Sequence, residues 1–281
     1  MKYGIIVDSG CDLYEYEKIN EQIGFERVPL KIELGEQEIV EDGNLHGADL
    51  LEQIEAWDGK STTAAPAPEE WRSAFDRYDI TFAITITGGM SGSVRSAYAA
   101  KDMILEQKPE KEIYIIDSLS TGPEIVLLMD KIMHLISCEM SAKQIMEEIQ
   151  EYQHHTHLSF MLAHLDHLVK NGRVSKAQGL MAGILGIQII GHASEQGELE
   201  IDEKIRGKKK IADSFMKMLK KYGYQGGNAV ISHCMNLEQA ENLRQKILKM
   251  YPQAKITIME AGGLCSYYMQ REGVLIGFED L

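Results

Sequence analysis

The sequence predicts an α/β protein of two domains, an N-terminal α/β/α unit on a parallel sheet and a C-terminal α/β unit on a mixed sheet. Three observations carry this. Short apolar runs alternate with amphipathic stretches through the first half of the chain, the pattern of a parallel sheet covered on both faces. Three of the N-terminal strand candidates or their continuations end in small polar clusters, VDSGCD (7–12), TGGMSGS (87–93) and IDSLSTG (116–122). From about residue 156 the pattern shifts to strands joined by a hairpin and then by helices.

In chain order, the N-terminal strand candidates are Tyr3–Val7, Arg27–Ile32, Thr81–Ile86 and Glu112–Ile116. Helices are expected over Asp12–Ile23, Ala48–Ala56, Pro68–Tyr78, Ser93–Gln107, Gly122–Ser137 and Ala142–His155. GKSTTAAPAP (59–68) reads as a hydroxyl-rich loop before a helix. In the second half LSFMLA is a strand and HLDHLVKNGRVSKAQGLMAGIL a broken helix. GIQIIGHA and ELEIDEKI form a hairpin across SEQG. Helices Lys208–Tyr222 and Leu237–Met250 alternate with NAVISH and AKITIME, and VLIGFE is the last strand. The expected domains are 1–156 and 157–281.

Composition narrows the function. Of 281 residues, 44% are hydrophobic and 26% charged, enough for buried cores in a globular chain. A net charge of −14 argues against nucleic acid or an anionic membrane as the main partner, because both require clustered cations. No apolar run reaches the roughly 20 residues of a membrane span, and no leader opens the sequence, so a cytoplasmic protein is expected. The four cysteines lack CxxC spacing and read as reduced thiols.

The candidate sites lie where the strands end, since ligands of such sheets bind outside their carboxyl ends. In TGGMSGSVRSA (87–97) glycines including Gly89 let backbone approach a ligand. Ser91 and Ser93 add hydroxyls, and the following helix offers unpaired amides to an anion. The stretch lacks the lysine of a Walker loop and the last glycine of a hydrolase elbow. A capped helix after a tight turn has the same residues. Ser61, Thr62 and Thr63 of GKSTTAAPAP offer further hydroxyls. Asp8 and Asp117 read as loop and cap residues. Among nine histidines, His164 and His167 share a helical face, but without a third ligand at readable spacing no metal is expected. KIRGKKK (204–210) is a basic run in an acidic chain, read as a helix start or a patch for an acidic partner. Fifteen methionines suit cores and, in part, a pocket for a long apolar chain.

The order of these motifs resembles the DegV family of bacterial lipid-binding proteins. The matching stretches are IIVDSGCDL (5–13), STTAAPAPEEW (61–71), ITGGMSGSVRSA (86–97), IIDSLSTG (115–122), LDHLVKNGRVS (165–175), the KIRGKKK run and VISHCMNLEQAENL (230–243). The resemblance implies a carrier of one long-chain fatty acid with no catalysis and no cofactor of its own. The acyl chain would lie between the domains, the second closing over it, and the carboxylate would be offered to an ATP-dependent fatty acid kinase. The carboxylate ligands carried over are Thr63, Thr62 beside it, and Ser91, with Gly89, Ser93 and Arg173 in support. Two departures stand out. The family's T-S-Q-P loop is Thr63-Ala64-Ala65-Pro66 here, and EAGGLCSYYMQREGVLIGF (260–278) holds no histidine where relatives often carry one.

From the residues alone two other classes stay open at this point. One is a serine-dependent acyl hydrolase using Ser91, and the other is a phosphate- or nucleotide-binding regulator.

Overall fold

The structure, a computed structural model, describes residues 2–17, 20–41, 47–174 and 186–281. Its N-terminal part is built on a parallel sheet of β1 (Tyr3–Asp8), β2 (Ile23–Val28), β6 (Ile80–Thr85) and β7 (Glu112–Asp117), in the order β2-β1-β6-β7. Every residue of β6 is buried, as a central strand covered on both faces requires. The pleat divides β1 between two cores. Ile6 faces α2 (Pro68–Phe75) and α3 (Ser93–Leu105) with Trp71, Phe75 and Ala97. Ile5 and Val7 face α4 (Pro123–Ser137) and α5 (Ala142–Tyr152) with Leu128 and Ile145.

A small antiparallel sheet branches from this unit: β3 (Lys31–Leu34), β4 (Gln37–Val40) and β5 (Ser61–Ala64), in the order β4-β3-β5, with α1 (Gly47–Ala56) between β4 and β5. Two expectations change here. The strand expected over Arg27–Ile32 is two strands broken at Pro29–Leu30, where proline removes a ladder donor. The loop expected over 59–68 contains β5, because Ser61–Ala64 pair with β3. The helix expected over Asp12–Ile23 is absent among the described residues. Its side chains are drawn into tertiary contacts instead, such as Tyr16 donating to Asp130 Oδ1 at 2.6 Å.

The C-terminal part is a mixed sheet of β8 (Thr156–Leu162), β9 (Ile187–Ala193), β10 (Leu199–Arg206), β11 (Asn228–His233), β12 (Lys255–Glu260) and β13 (Val274–Glu279). The order is β10-β9-β8-β13-β11-β12, with β11 and β12 parallel and the other pairs antiparallel. Helices α7 (Ile211–Lys221) and α8 (Leu237–Met250) cover one face. Lys208–Lys210, expected as the start of α7, form a 3-10 turn before it. The other face carries α6 (Asp166–Lys170) and a short helix that the sequence did not announce, α9 (Gly263–Met269). The broken helix expected over 164–185 is described only to residue 174, and the rest of it lies outside the described residues.

Helix α4 lies between the two sheets, which explains why it is apolar on nearly every side. Its first turn rests directly on β13, where a Cβ at Gly277 would come within 2.6 Å of the Glu124 amide nitrogen. Glu124 is buried there and accepts from Thr156 Oγ1 at 2.7 Å. Burial pushes its carboxyl up to about 7, against the opposing hydroxyls of Ser120 and Thr156.

Candidate functional site

The pleat of β8 places Leu158, Phe160 and Leu162 on one face and Ser159 and Met161 on the other. The first three line an apolar cavity, the kind of concave apolar surface that ligand sites use. Its other walls come from both parts of the chain. Ile86 and Met90 follow β6, Thr121 precedes α4, and Leu264, Cys265 and Tyr268 belong to α9. Almost all of this lining is hydrocarbon or sulfur.

Tyr268 in the cavity wall leads to a second hydroxyl. Thr63 Oγ1 and Tyr268 Oη lie 2.7 Å apart. Two hydroxyls bonded to each other use one hydrogen between them, so the pair keeps one donor for a third group. Burial raises the Tyr268 hydroxyl, with the Thr63 bond and the positive charge of Arg173 acting the other way. Arg173, on the turn after α6, thus brings a positive charge to this neighbourhood, and its Nη1 donates to the Asn171 carbonyl at 2.9 Å. The segment after Thr63 packs on the segment of Ser91. A Cβ at Gly92 would sit 3.7 Å from Ala65 Cβ, and Ser96 Oγ donates to the Pro66 carbonyl.

The other expected site residues fall as follows. Thr62 points to the opposite side of β5 from Thr63 and donates to Glu33 Oε2 at 2.6 Å, its register partner on β3. Ser91 is half-buried at the start of α3, and its Oγ accepts from the Ser93 amide at 3.2 Å. Ser91 thus satisfies an early helix amide, a role that Ser93 also fitted on sequence grounds. Ser93 is instead the first residue of α3, buried beside the Asp8 carboxyl. Gly89 faces the turn between β9 and β10, with a would-be Cβ 3.0 Å from the Gln196 carbonyl oxygen. Among the described residues, no histidine or carboxylate is hydrogen-bonded to the Ser91 hydroxyl.

The aspartates of the strand-end motifs serve the scaffold. Asp8 accepts from the Gly10 amide at 2.8 Å and the Ile86 amide at 3.0 Å, and burial lifts its carboxyl to about 6. Asp117 accepts from Gly88 at 3.0 Å and Leu119 at 3.1 Å. The histidines disperse: His155 and His157 share Asp280 at 2.8 and 3.0 Å, His164 is exposed, and His167 stacks on Tyr267. No cluster of three or more metal-binding side chains exists among the described residues. No helix among them is long and apolar enough to cross a membrane. Cys138 is exposed and Cys11, Cys234 and Cys265 are buried, all as free thiols.

Tyr268 is the site residue that the sequence reading missed. Its only signal was the aromatic pair in GLCSYYM, within the segment noted for lacking a histidine. The helix that presents it is fixed at its start by two buried carboxylates. Asp12 Oδ1 accepts from the Gly262 amide at 2.9 Å, and Glu41 Oε1 accepts from the Gly263 amide at 2.7 Å. Arg27 holds Glu41 through a buried 2.7 Å ion pair.

An α/β protein of two principal sheets, with an apolar cavity walled by the C-terminal sheet, α9 and N-terminal loops, and a hydroxyl pair that includes its wall residue Tyr268, is thus defined. The model of the DegV family, described as an uncharacterised protein family, matches residues 2–277. The chain belongs to the DegV family. It is 40% identical over 279 residues to a DegV domain-containing protein of Streptococcus pneumoniae strain R6, covering 99% of both sequences. Among solved structures it is similar to the Streptococcus pneumoniae fatty acid kinase (Fak) B3 protein loaded with linoleic acid. There the TM-score is 0.97 at 40% identity, over 100% of both chains. A DegV family protein from Eubacterium eligens loaded with heptadecanoic acid gives a TM-score of 0.94 at 36% identity, over 99% of this chain and 100% of that one.

Proposed function

We propose that this protein is a fatty-acid carrier. One long-chain acid lies with its tail in the cavity and its carboxylate among the hydroxyls of Thr63, Tyr268 and Ser91, near the charge of Arg173. The observation that carries the reading is the cavity itself, apolar along β8 and α9 and ending beside a hydroxyl pair with a hydrogen to donate. The likeness to two proteins loaded with fatty acids points the same way.

The energetics assign separate tasks to the two ends. Each buried methylene contributes about 0.8 kcal/mol, so a sixteen-carbon tail yields roughly 11 kcal/mol gross. A hydrogen bond to a charged group adds about 1.5–3 kcal/mol. The tail therefore sets affinity, and the hydroxyls set which end faces out. Nucleophilic catalysis needs a base next to the nucleophile. Ser91 lends its oxygen to a helix amide instead, so the acid is carried unchanged. Phosphorylation of that acid falls to a separate ATP-dependent kinase, to which the carrier presents the carboxylate.

Native mass spectrometry of gently purified protein, followed by organic extraction, tests the first part. A bound long-chain acid is expected. Recovery of a phosphate compound, or failure to take up added palmitate or oleate, would sink the carrier reading. Loaded protein with ATP alone should form no acyl phosphate, scored as the hydroxamate, and product without a partner would make the protein an enzyme.

A further inference from the structure

We propose that Tyr267 is a positioning residue for the fatty-acid head group, holding the three elements that carry Thr63, Tyr268 and Arg173 in register. The inference rests on the carrier reading and assigns a role to a residue that lies outside the cavity lining.

Tyr267 is fully buried, yet its polar atoms and its ring are all engaged. Asn171 Nδ2 donates to its Oη at 2.9 Å. That leaves the hydroxyl hydrogen for Ser61 Oγ, 2.8 Å away. His167 Nδ1 lies 2.6 Å from its carbonyl oxygen, and the imidazole stacks on its ring at 4.4 Å between centroids. Burial keeps His167 below the usual imidazole range, which favours a neutral ring donating through Nδ1–H.

The partners are not scattered. Ser61 lies on β5 two residues before Thr63, so the two side chains leave the same face of the strand about 6.6 Å apart. Tyr267 and Tyr268 are consecutive in α9, with rings edge to face at 4.8 Å. Ser61–Tyr267 and Thr63–Tyr268 therefore form two successive rungs between β5 and α9. Asn171 extends the chain of bonds to the turn after α6, because its carbonyl accepts from Arg173 Nη1 at 2.9 Å. One buried phenol thus ties β5, α6 and α9 together behind the head group. A hydrogen bond that aims a donor is felt by a charged acceptor more than by an uncharged one. The tail has no direct stake in it.

This separation supplies the test. Binding of palmitic acid and of methyl palmitate, which has the same tail and an uncharged head, is measured for the unmodified protein, Tyr267→Phe and Ser61→Ala. The expected result is a palmitate affinity lower by roughly three- to tenfold in each variant, with methyl palmitate changed by less than about twofold. The double variant should be no weaker than Tyr267→Phe alone, because Tyr267→Phe already removes the bond to Ser61. Ser61→Ala reads that bond even where Tyr267→Phe fails to fold. Equal losses for both ligands, or no loss in variants of unchanged Tm, would overturn the positioning role. An unmodified protein that binds neither ligand would instead refute the carrier reading beneath it.

Discussion

The two ends of the cavity differ in how their polar groups are used. Along β8 and the inner side of α9 there is almost nothing polar to satisfy, and the walls are methyl groups, a phenyl ring and sulfur. At the hydroxyl side, Thr63, Tyr268, Ser61 and Tyr267 are linked in pairs that retain spare donor hydrogens. A third region completes the contrast. At the carboxyl ends of β1 and β7, Asp8 and Asp117 are surrounded by backbone amides that they hold in place. Polar groups closed upon the backbone build the frame, and on the carrier reading it is the Thr63–Tyr268 pair, left with a donor, that faces the ligand.

The largest effect expected belongs to the apolar end. Replacing palmitate by octanoate removes eight methylenes, and at about 0.8 kcal/mol each the affinity should fall by roughly 6 kcal/mol, about four orders of magnitude. Competition against a labelled long-chain acid measures it. A loss of tenfold or less would mean that the tail is not buried and that the head dominates binding.

Next in size is a frame carboxyl. Glu124, buried under β13, has its carboxyl raised to about 7 from the ordinary 4.5, principally by desolvation. A raised acid favours folding in its protonated form. Its stabilising contribution is complete below the unfolded value near 4.5 and is lost as pH rises through about 7, a change on the order of 3 kcal/mol. Asp8, raised to about 6, acts in the same direction over a narrower window. Glu124→Gln, which stays neutral, should flatten that part of the stability-against-pH curve measured by denaturant unfolding. An unchanged slope between pH 4.5 and 7.5 would show that Glu124 ionises in the fold without cost.

The same contrast explains what could be read from the sequence. Continuous apolar runs such as ITFAIT announced the central strands, because full burial on both faces leaves no ambiguity of face. The small sheet was harder. Its strands are four residues long, and β4 is mostly exposed. Helix α9 was invisible for a different reason. It is seven residues long, begins at the second of two glycines, and is anchored by Asp12 and Glu41, more than 220 positions earlier in the chain. No local pattern encodes such a bond. Thr63 and Ser91 were legible as hydroxyls at strand and loop ends, while Tyr268, the partner of Thr63, required the fold.

At the hydroxyl end the expected effects are smaller. Ser91→Ala or Thr63→Val should weaken palmitate binding by roughly 1–3 kcal/mol, about five- to a hundredfold. Ser91→Ala should also lower stability by about 1 kcal/mol, since Ser91 Oγ satisfies the Ser93 amide. Thr63→Val leaves Tyr268 Oη without its partner, so methyl palmitate should be far less affected than the acid. Palmitate affinities equal to that of the unmodified protein would place the carboxylate elsewhere.

The smallest effect separates two neighbours. Thr62 and Thr63 were indistinguishable as hydroxyl donors in STTAAP, but successive residues of a strand face opposite ways. Thr63 turns toward α9, and Thr62 turns toward β3, where its hydrogen is already given to Glu33 at 2.6 Å. To reach a carboxylate, Thr62 would have to break that bond and reverse the pleat of β5, whose register places Ile32 opposite Thr63 and Glu33 opposite Thr62. Shifting the strand by one residue would also turn Ser61 and Thr63 away from their tyrosines. Thr62→Val should therefore change palmitate affinity by less than about 0.5 kcal/mol, with its cost confined to a partly exposed cross-strand contact. Isothermal titration of Thr62→Val beside Thr63→Val decides the matter. A loss at Thr62 as large as that at Thr63 would mean that β5 takes up the acid with the other face, and the pairing of Thr63 with Tyr268 would lose its part in binding.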